Sequence, residues 1–423
     1  MRAWLFSIWI AFGLTACAAG PSPSAVESDL NPAIHPLAGN PLAPKKIFVF
    51  LDGTRNDQQS KTNVWRLFKA VTEAGDVQTT ALYLPGVGTT ADPLDVGPQE
   101  SVLLPLVEAA LGKNMQPRIL AGYRFIAQNH RPGDQVFIFG FSRGAHQARS
   151  LAGMIAYAGV PAPVAPGNMP SALSSNAAED ILELVKKQED DDYASYWARW
   201  EPGMSPPLGN RLSVSTVPVD IQLLGVWDTV PGSSLKEYCG CKEKIGFVKK
   251  YFAWLIPGVD KGERYKIDTY PVIRKIAHAV SADEKRSKFN PVLVCAPPSE
   301  TRYPTSVNEL LFPGSHADVG GGYDEPKEDP DALLPSLSLN WMITELSGVY
   351  KPPSALAPVK ANPLGLAHWS IGDSPANKFS HCLDRKISGI KADQSLTTRR
   401  DAGKAPLRIF GVIQEETYPK NCL

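Results

Sequence analysis

The sequence has little histidine, little cysteine and no excess of charge of either sign. Its 423 residues include 43 Lys and Arg against 43 Asp and Glu, so the formal net charge is zero. Proteins that bind nucleic acid normally carry a clear basic excess, which argues against that class. With 43% hydrophobic and 20% charged residues, the composition is that of an ordinary globular chain, and its neutrality is compatible with an enzyme acting on lipids or neutral esters.

The first residues have the order of an export signal. One arginine precedes an apolar run from Ala3 to Leu14, which is too short to span a bilayer as a helix. The run leads into Leu14-Thr15-Ala16-Cys17, which resembles the cleavage box of bacterial lipoproteins; a plain signal peptide or a buried N-terminal helix is the alternative. The resemblance implies removal of residues 1–16 and lipidation of Cys17. Since Ala18 rather than Asp follows, it also implies the periplasmic face of the outer membrane.

The rest of the chain divides into a tether and a folded region. Residues 17–45 are rich in Pro, Ala, Ser and Gly without periodicity, which predicts a flexible tether. From residue 46 to 423, short apolar runs alternate with helical periodicity, which predicts a mostly parallel sheet with helices on both faces. Two stretches near 160–215 and 232–270 are rich in Pro, Gly and polar residues, and we expect lid-like insertions there.

Particular runs carry that prediction. Strands are predicted at Lys46–Leu51, Thr80–Leu84, Gln135–Phe139, Ile221–Trp227 and Leu407–Ile413, and helices at Val64–Ala74, Ile119–Gln128 and Ala145–Ala158.

A nucleophile motif follows the predicted strand at 135–139. Gly140-Phe141-Ser142-Arg143-Gly144 has the pattern G-x-S-x-G between a strand and an Ala-rich helix, which is the context that a nucleophile elbow requires. The tight turn exposes the serine oxygen, and the helix N-terminus adds positive potential near a developing oxyanion. The motif predicts Ser142 as a catalytic nucleophile and the α/β-hydrolase fold; an ordinary β–α turn is the alternative.

A serine needs a base to take its proton, and histidine is scarce in this chain. His316 follows an apolar run in a glycine-laden loop, where a base at the carboxyl end of a strand is expected. His278 lies in a segment that looks helical, and it is predicted to be a core residue or a residue that supports the catalytic side chains. His146, one turn after the serine, is predicted to be structural.

The orienting acid is predicted from its place at a strand end. Asp228 directly follows the strand 221–227 and lies between serine and histidine in the chain, the order usual for this fold. Asp318 competes but follows His316, so we expect it to support the loop around the base. Backbone donors for the oxyanion are expected at Arg143 and at Gly53 or Thr54, in the loop after the first strand.

The remaining cysteines fit an exported protein. Cys295 lies in an apolar run and is predicted to be a buried free thiol. Cys239 and Cys241 flank one glycine, and bonds from this pair to Cys382 and Cys422 are plausible. A zinc site at Cys-Gly-Cys is the alternative, although no second ligand pair at suitable spacing is near. We therefore expect neither a metal nor another cofactor.

Several stretches together resemble one bacterial and fungal family. This α/β-hydrolase domain family includes the catalytic domain of type VI secretion phospholipase effectors of the first lipase class, and the resemblance covers about residues 46–345. The stretches that carry it are Phe50-Leu-Asp-Gly-Thr54, Thr62-Asn-Val64, Tyr83-Leu-Pro-Gly-Val-Gly-Thr89, Gly140-Phe-Ser-Arg-Gly-Ala145, Gly225-Val-Trp-Asp-Thr-Val230, His278-Ala-Val-Ser-Ala-Asp-Glu284 and Phe312-Pro-Gly-Ser-His-Ala-Asp-Val-Gly-Gly-Gly-Tyr323.

The resemblance implies the triad of Ser142, Asp228 and His316 and a phospholipase A activity on glycerophospholipids. Two features depart from the family: Arg55 stands where a Trp is usual, and the large C-terminal membrane-binding region of secreted effectors is lacking. A lipid anchor is expected to bring the enzyme to the membrane instead. The alternatives are an esterase or thioesterase on small acyl substrates, and a non-catalytic envelope lipoprotein that binds a partner such as an immunity protein.

Overall fold

The computed structural model gives the arrangement of most of the chain. Residues 1–16, Cys17, Cys239, Cys241 and nearly all of 232–270 lie outside the described residues, so the predictions made for them remain predictions. The structure describes residues 30–89, 115–162, 175–188, 192–230, 265–298, 301–323, 334–371, 382–385 and 387–422.

A large, mostly parallel sheet forms the centre of the described part. It has eight of the described strands, which are β1 (Ala33–His35), β2 (Lys46–Leu51), β3 (Thr79–Leu84), β4 (Gln135–Phe141), β7 (Ile221–Trp227), β8 (Lys275–Ser281), β9 (Ser306–Phe312) and β11 (Lys391–Ala392). They pair in the order β1-β3-β2-β4-β7-β8-β9-β11. Strand β1 is antiparallel to β3, and the other pairs are parallel.

Helices cover both faces of this sheet. They are α1 (Asn63–Glu73), α2 (Met115–Asn129), α3 (Arg143–Ala158), α4 (Ser175–Lys186), α5 (Asp192–Arg199), α6 (His316–Gly320), α7 (Pro335–Ser347) and α8 (Gln394–Ala402). The short strands β5 (Val160–Pro161) and β6 (Thr216–Val217) pair with each other. Strands β10 (Ala367–His368), β12 (Lys404–Ile409) and β13 (Val412–Thr417) form a separate three-stranded sheet.

Strand β2 shows why the sheet is apolar on both sides. Its alternate residues point to opposite faces, and Val49 packs in the core that contains α2, α3 and α4. Phe48 and Phe50 pack on the other side, in the core that contains α1 and α7. The ring of Phe48 stacks on that of Phe137 in the neighbouring strand at 4.5 Å. A parallel sheet buried on both faces therefore explains the continuous apolar runs.

Most elements predicted from the sequence are present. The four runs from residue 46 to 227 are strands β2, β3, β4 and β7, and the three helical patterns are α1, α2 and α3. The predicted α/β architecture with helices on both faces is thereby confirmed. The described part of 160–215 contains α4 and α5, and Tyr196 of α5 donates a hydrogen bond to the carbonyl of Ala156 in α3 at 2.8 Å.

Two predictions of local structure are wrong. The segment around His278 is strand β8, not a helix, because it lies buried between the parallel strands β7 and β9. Its alanines favour a helix locally, and tertiary packing overrides that preference. The strand predicted at Leu407–Ile413 is interrupted by a turn at Phe410-Gly411 between β12 and β13, with positive φ at both residues.

The cysteine predictions are also corrected. Cys382 and Cys422 form a disulfide with each other, with a Cα–Cα distance of 5.8 Å, rather than with the pair at 239 and 241. Cys295 is buried as expected, but it is disulfide-bonded and not a free thiol. An apolar run predicts burial but carries no information on which cysteines meet in the fold.

The described part contains neither a candidate membrane span nor a candidate metal cluster. No helix there is both long and apolar enough to cross a membrane. No group of three or more His, Cys, Asp and Glu side chains in the same part is arranged to hold a metal ion.

Candidate active site

The carboxyl ends of the parallel strands bring the predicted site residues to one edge of the sheet. Gly53 and Thr54 lie just after β2, Ser142 follows β4 and Asp228 follows β7, while His316 begins α6 shortly after β9. This edge is where open α/β sheets usually bind ligands. The order of strands therefore assembles residues that are far apart in the sequence.

Ser142 occupies the turn between β4 and α3. Its backbone has φ 60° and ψ −125°, a region that non-glycine residues rarely adopt. The amide of Ser142 donates to the carbonyl of Trp227 at 3.0 Å, and its carbonyl accepts from the amide of Ala145 at 3.1 Å. These bonds hold the strained turn that a nucleophile elbow needs.

Glycines let the turn pack tightly. A Cβ on Gly140 would lie 2.3 Å from the carbonyl oxygen of Gly144, and one on Gly144 would lie 2.2 Å from that of Leu51. Any side chain at either position would therefore push strand and helix apart. The same contacts place the loop that begins at Asp52 against the first turn of α3.

His316 and Asp228 form a buried hydrogen-bonded pair. The Nδ1 atom of His316 lies 2.6 Å from Oδ2 of Asp228, and the Asp228 side chain is fully buried. The Nε2 atom of His316 is also buried and has no hydrogen-bond partner among the described residues. The imidazole ring packs at 4.6 Å on that of Phe141, the residue before Ser142. The pair is thus arranged with its second ring nitrogen available to a neighbouring group.

The electrostatics favour a neutral imidazole beside a charged carboxylate. Burial lowers the pKa of His316, although the hydrogen bond to Asp228 opposes this. Burial alone would raise the pKa of Asp228, but the charge of Arg385 and the hydrogen bond from His316 hold it well below its usual range. A neutral imidazole oriented by a carboxylate is the state in which histidine acts as a general base.

Arg385 is a site residue that sequence reasoning missed. Its Nη1 atom donates to Oδ1 of Asp228 at 2.8 Å, and its Nη2 atom donates to Oδ2 at 2.9 Å. Nη1 also donates to the carbonyl of Ser281 at 2.7 Å, and Nη2 to that of Phe289. No motif surrounds Arg385 in the sequence, and 157 residues separate it from Asp228, so no local signal points to it.

Glu284 is a second residue whose role the sequence did not reveal. Its Oε2 atom accepts a hydrogen bond from the backbone amide of His316 at 3.1 Å. Its other oxygen accepts from Ser370 at 2.7 Å, and Arg286 pairs with both oxygens at 2.8 and 2.9 Å. Burial would raise the pKa of Glu284, but the charge of Arg286 lowers it to about 2. A permanently ionised Glu284 thus fixes the start of α6.

Asp318 and His278 occupy supporting positions. Asp318 caps α6 by accepting from the amide of Ser315 at 2.8 Å, and its other oxygen lies 2.7 Å from Nδ1 of His368. His278 accepts at Nε2 from the amide of Thr229 at 3.1 Å, and its Nδ1 lies 2.7 Å from Oε1 of Glu309. His278 therefore holds the residue that follows Asp228, while Asp318 contacts the base only through the helix that it caps.

The two predicted backbone donors after β2 differ in availability. The amide of Gly53 donates to Oδ1 of Asp52 at 2.7 Å and is therefore occupied. Thr54 makes no hydrogen bond through its amide or its hydroxyl among the described residues. The geometry therefore favours the amide of Thr54 over that of Gly53 as the second backbone donor to an oxyanion, beside the amide of Arg143 at the start of α3.

Asp52 supports this loop from within. Its Oδ2 atom accepts from the hydroxyls of Thr62 and Tyr83 at 2.6 and 2.7 Å. Burial raises the pKa of Asp52 to about 6, and the hydrogen bonds from Thr62 and Tyr83 oppose that rise. The carboxyl group thus holds the amide of Gly53 while burial keeps its pKa above the usual value.

A family comparison agrees with the resemblance seen in the sequence. The model of the family described as T6SS phospholipase effector Tle1-like, catalytic domain, matches residues 45–345, which is more than half of the 423-residue chain. The chain belongs to this family. Arg385, Ser370 and His368 all lie beyond the part of this Tle1-like chain that the family model matches.

Individual relatives are more distant. An uncharacterized protein of Saccharomyces cerevisiae is 25% identical over 275 residues, which are 62% of this chain and 34% of the yeast protein. The solved Tle1 effector bound to the VgrG spike of the type 6 secretion system is 17% identical with a TM-score of 0.28, over 67% of this chain and 52% of that one. A bifunctional GH43-CE protein of Bacteroides eggerthii is 14% identical with a TM-score of 0.32, over 76% and 36%. The Tle1-like chain thus spans about a third of the yeast protein and half of the effector.

Proposed function

We propose that this Tle1-like protein is a serine phospholipase A that releases fatty acid from glycerophospholipids. The observation that carries the proposal is the buried pair of His316 and Asp228, at 2.6 Å, beside the strained turn of Ser142. Membership of a family described by phospholipase effectors supports the substrate class. A non-catalytic binding protein has no need of a buried base, an orienting acid and an elbow serine together.

The proposed reaction has two steps, acylation of Ser142 and hydrolysis of the acyl-enzyme. The Ser142 oxygen attacks the ester carbonyl while Nε2 of His316 takes its proton, and the amides of Arg143 and Thr54 donate to the oxyanion. Collapse breaks the ester bond, and His316 returns the proton to the departing lysophospholipid alcohol. Water, deprotonated by His316, then attacks the acyl-enzyme and releases the fatty acid together with free Ser142.

Phospholipid vesicles test this proposal directly. Soluble protein that starts after Cys17 is incubated with mixed glycerophospholipid vesicles, and the lipids are read by mass spectrometry. Free fatty acid and lysophospholipid are expected with the natural protein, and Ser142→Ala should reduce turnover by roughly a million-fold. Ser150→Ala is the matched control, since Ser150 lies on the same helix and its hydroxyl donates to the carbonyl of His146.

Two other results would change the assignment. Cleavage of short acyl esters without any effect on phospholipid would favour an esterase or thioesterase. No cleavage of either substrate would favour the non-catalytic lipoprotein that binds an envelope or immunity partner.

We also propose that Cys17 carries the lipid that holds the enzyme at the periplasmic face of the outer membrane. The order of arginine, apolar run, small residues and cysteine at the N-terminus supports this. Cells fed a radiolabelled fatty acid should label the natural chain, whereas Cys17→Ala should stay unlabelled and leave the membrane fraction. Label that persists in Cys17→Ala would contradict the anchor.

A further inference from the structure

The segment that carries Arg385 is fastened at several points. Cys382 forms a disulfide with Cys422, and the amide of Leu383 donates to the carbonyl of Lys285 at 2.9 Å. The Lys285 side chain pairs with Asp384 at 2.6 Å, and the Asp384 carboxylate also accepts from the amide of Cys422. The position of Arg385 is thus set by the covalent and ionic fastening of residues 382–385.

Arg385 grips the whole carboxylate of Asp228. Each terminal nitrogen of the guanidinium donates to a different oxygen, at 2.8 and 2.9 Å, and the arginine side chain is 3% exposed. The same nitrogens are tied to the carbonyls of Ser281 and Phe289, so the fork itself is held in place. A guanidinium whose two terminal nitrogens are both held in this way prevents rotation of the carboxylate. It thereby keeps Oδ2 of Asp228 directed at His316.

Other contacts join the same C-terminal region to the elements around the base. Ser370 donates to Glu284, which receives the amide of His316. His368 pairs with Asp318, which caps the helix that begins at His316. Both contacts, like those of Arg385, come from residues beyond 345, where the family match ends.

We propose that Arg385 is a positioning residue for the hydrolysis, and that the region beyond the family match completes the catalytic site by delivering it to Asp228. The inference rests on the proposed function, because it assigns Arg385 a task within the reaction of Ser142. Arg385 does not touch substrate; it acts through Asp228 on the orientation and charge of His316.

The charges around His316 give the inference a distinctive signature. The base faces Asp228 from the end of β7, Glu284 and Arg286 from the loop after β8, and Arg385 from the C-terminal segment. Removing the positive charge of Arg385 leaves Asp228 less neutralised, so the imidazolium form of His316 gains stability. Its pKa rises, and the acid limb of the kcat/KM profile, where the base must be neutral, moves to higher pH.

The test measures Arg385→Ala and Arg385→Lys against a soluble chromogenic acyl ester over a range of pH. We expect Arg385→Ala to lower kcat/KM roughly tenfold to a hundredfold and to move the acid midpoint up by roughly one pH unit. Arg385→Lys keeps the charge without the fork, so it should retain the midpoint and lose part of kcat with KM unchanged. Arg400→Ala, an exposed arginine on α8, is the matched control.

A second readout needs no turnover. Titration of His316 by NMR in chains with labelled histidine reports the same pKa, which should rise in Arg385→Ala. A shifted titration in a protein without esterase activity would leave the role of Arg385 intact and count against the proposed function. If the natural protein hydrolyses the ester and Arg385→Ala has the same rate and the same acid midpoint, the role of Arg385 is overturned and the proposed function stands.

The same measurements, together with thermal unfolding, distinguish a purely structural role for Arg385. It predicts a lower thermal midpoint and a lower rate without any change of the acid midpoint, and that result overturns the inference. If Arg385→Ala does not fold, Arg385→Lys decides, because a kcat equal to that of the natural protein would show that the fork is not needed.

Discussion

Two catalytic candidates have backbone angles that side chains seldom allow. Ser142 has φ 60° and Asp228 has φ 35°, and each stands directly after a strand of the parallel sheet. Such angles persist only where surrounding bonds enforce them. At Asp228 the enforcing bonds include its amide, which donates to Ala279 at 2.7 Å, and the fork of Arg385. Both candidates therefore occupy strained positions that neighbouring backbone and side-chain bonds hold in place.

Loss of the Asp228 charge should nearly abolish turnover. An amide at this position cannot accept from both Arg385 and His316, and it permits the wrong imidazole tautomer, so Asp228→Asn is expected to lower kcat about 10⁴-fold. Ester hydrolysis measures the effect. Asp220→Asn, which removes a partly exposed partner of Arg274, should leave the rate within a few-fold, and an Asp228→Asn enzyme of comparable activity would exclude the assigned acid.

Asp52 predicts a pH dependence of stability. Because its pKa is raised in the folded state to about 6, its contribution is fully present below the unfolded value near 3.8 and is lost as pH rises through 6. The free energy of unfolding of the natural protein, relative to Asp52→Asn, should therefore fall by about 2 kcal/mol between pH 4 and pH 7. Denaturant unfolding at several pH values measures this difference; a difference that stays flat or grows with pH would contradict it, and Asp401→Asn serves as the exposed control.

At the scale of elements, the elbow depends on close contact between β2 and α3. Gly144→Ala would place a methyl group 2.2 Å from the carbonyl oxygen of Leu51, so we expect a loss of roughly 2–4 kcal/mol in stability. The thermal midpoint should fall accordingly. Gly209→Ala meets only side-chain atoms, of Thr216 at 3.3 Å and Pro206 at 3.7 Å, and should cost far less. Equal midpoints for the two variants would contradict the packing argument.

The elements show how far the sequence predicts this molecule. Strands such as β2 and β4 are predictable because parallel strands buried on both faces need uninterrupted apolar runs, and the G-x-S-x-G turn is recognisable between β4 and α3. Strand β8 is not predictable from its own residues because its alanines favour a helix, and its pairing with β7 and β9 decides the state. Arg385 was missed because its partners meet only in the folded chain.

At the scale of the whole molecule, the family-matched domain and the C-terminal region act as one unit. The disulfide of Cys382 and Cys422 closes a loop of 40 residues, and it lies three residues from the arginine that grips Asp228. Reducing conditions should therefore weaken both stability and catalysis, although neither cysteine belongs to the proposed triad.

The double variant Cys382→Ser with Cys422→Ser tests that connection without disturbing Cys295. Loss of the loop closure should cost roughly 2–4 kcal/mol of stability, and the freed segment should lower kcat more than it raises KM. Differential scanning calorimetry and ester hydrolysis measure the two effects. A variant with natural stability and rate would show that the ion pair of Lys285 and Asp384 suffices to hold the segment.

Covalent labelling tests most directly whether Ser142 is the nucleophile that attacks phospholipid. A phosphonate analogue of a glycerophospholipid should form one covalent adduct with the natural protein, and peptide mapping by mass spectrometry should place it on Ser142. Ser142→Ala should form none, and His316→Ala should form it far more slowly because the serine keeps its proton. An adduct on another residue, or phospholipid cleavage that persists in Ser142→Ala, would contradict the account.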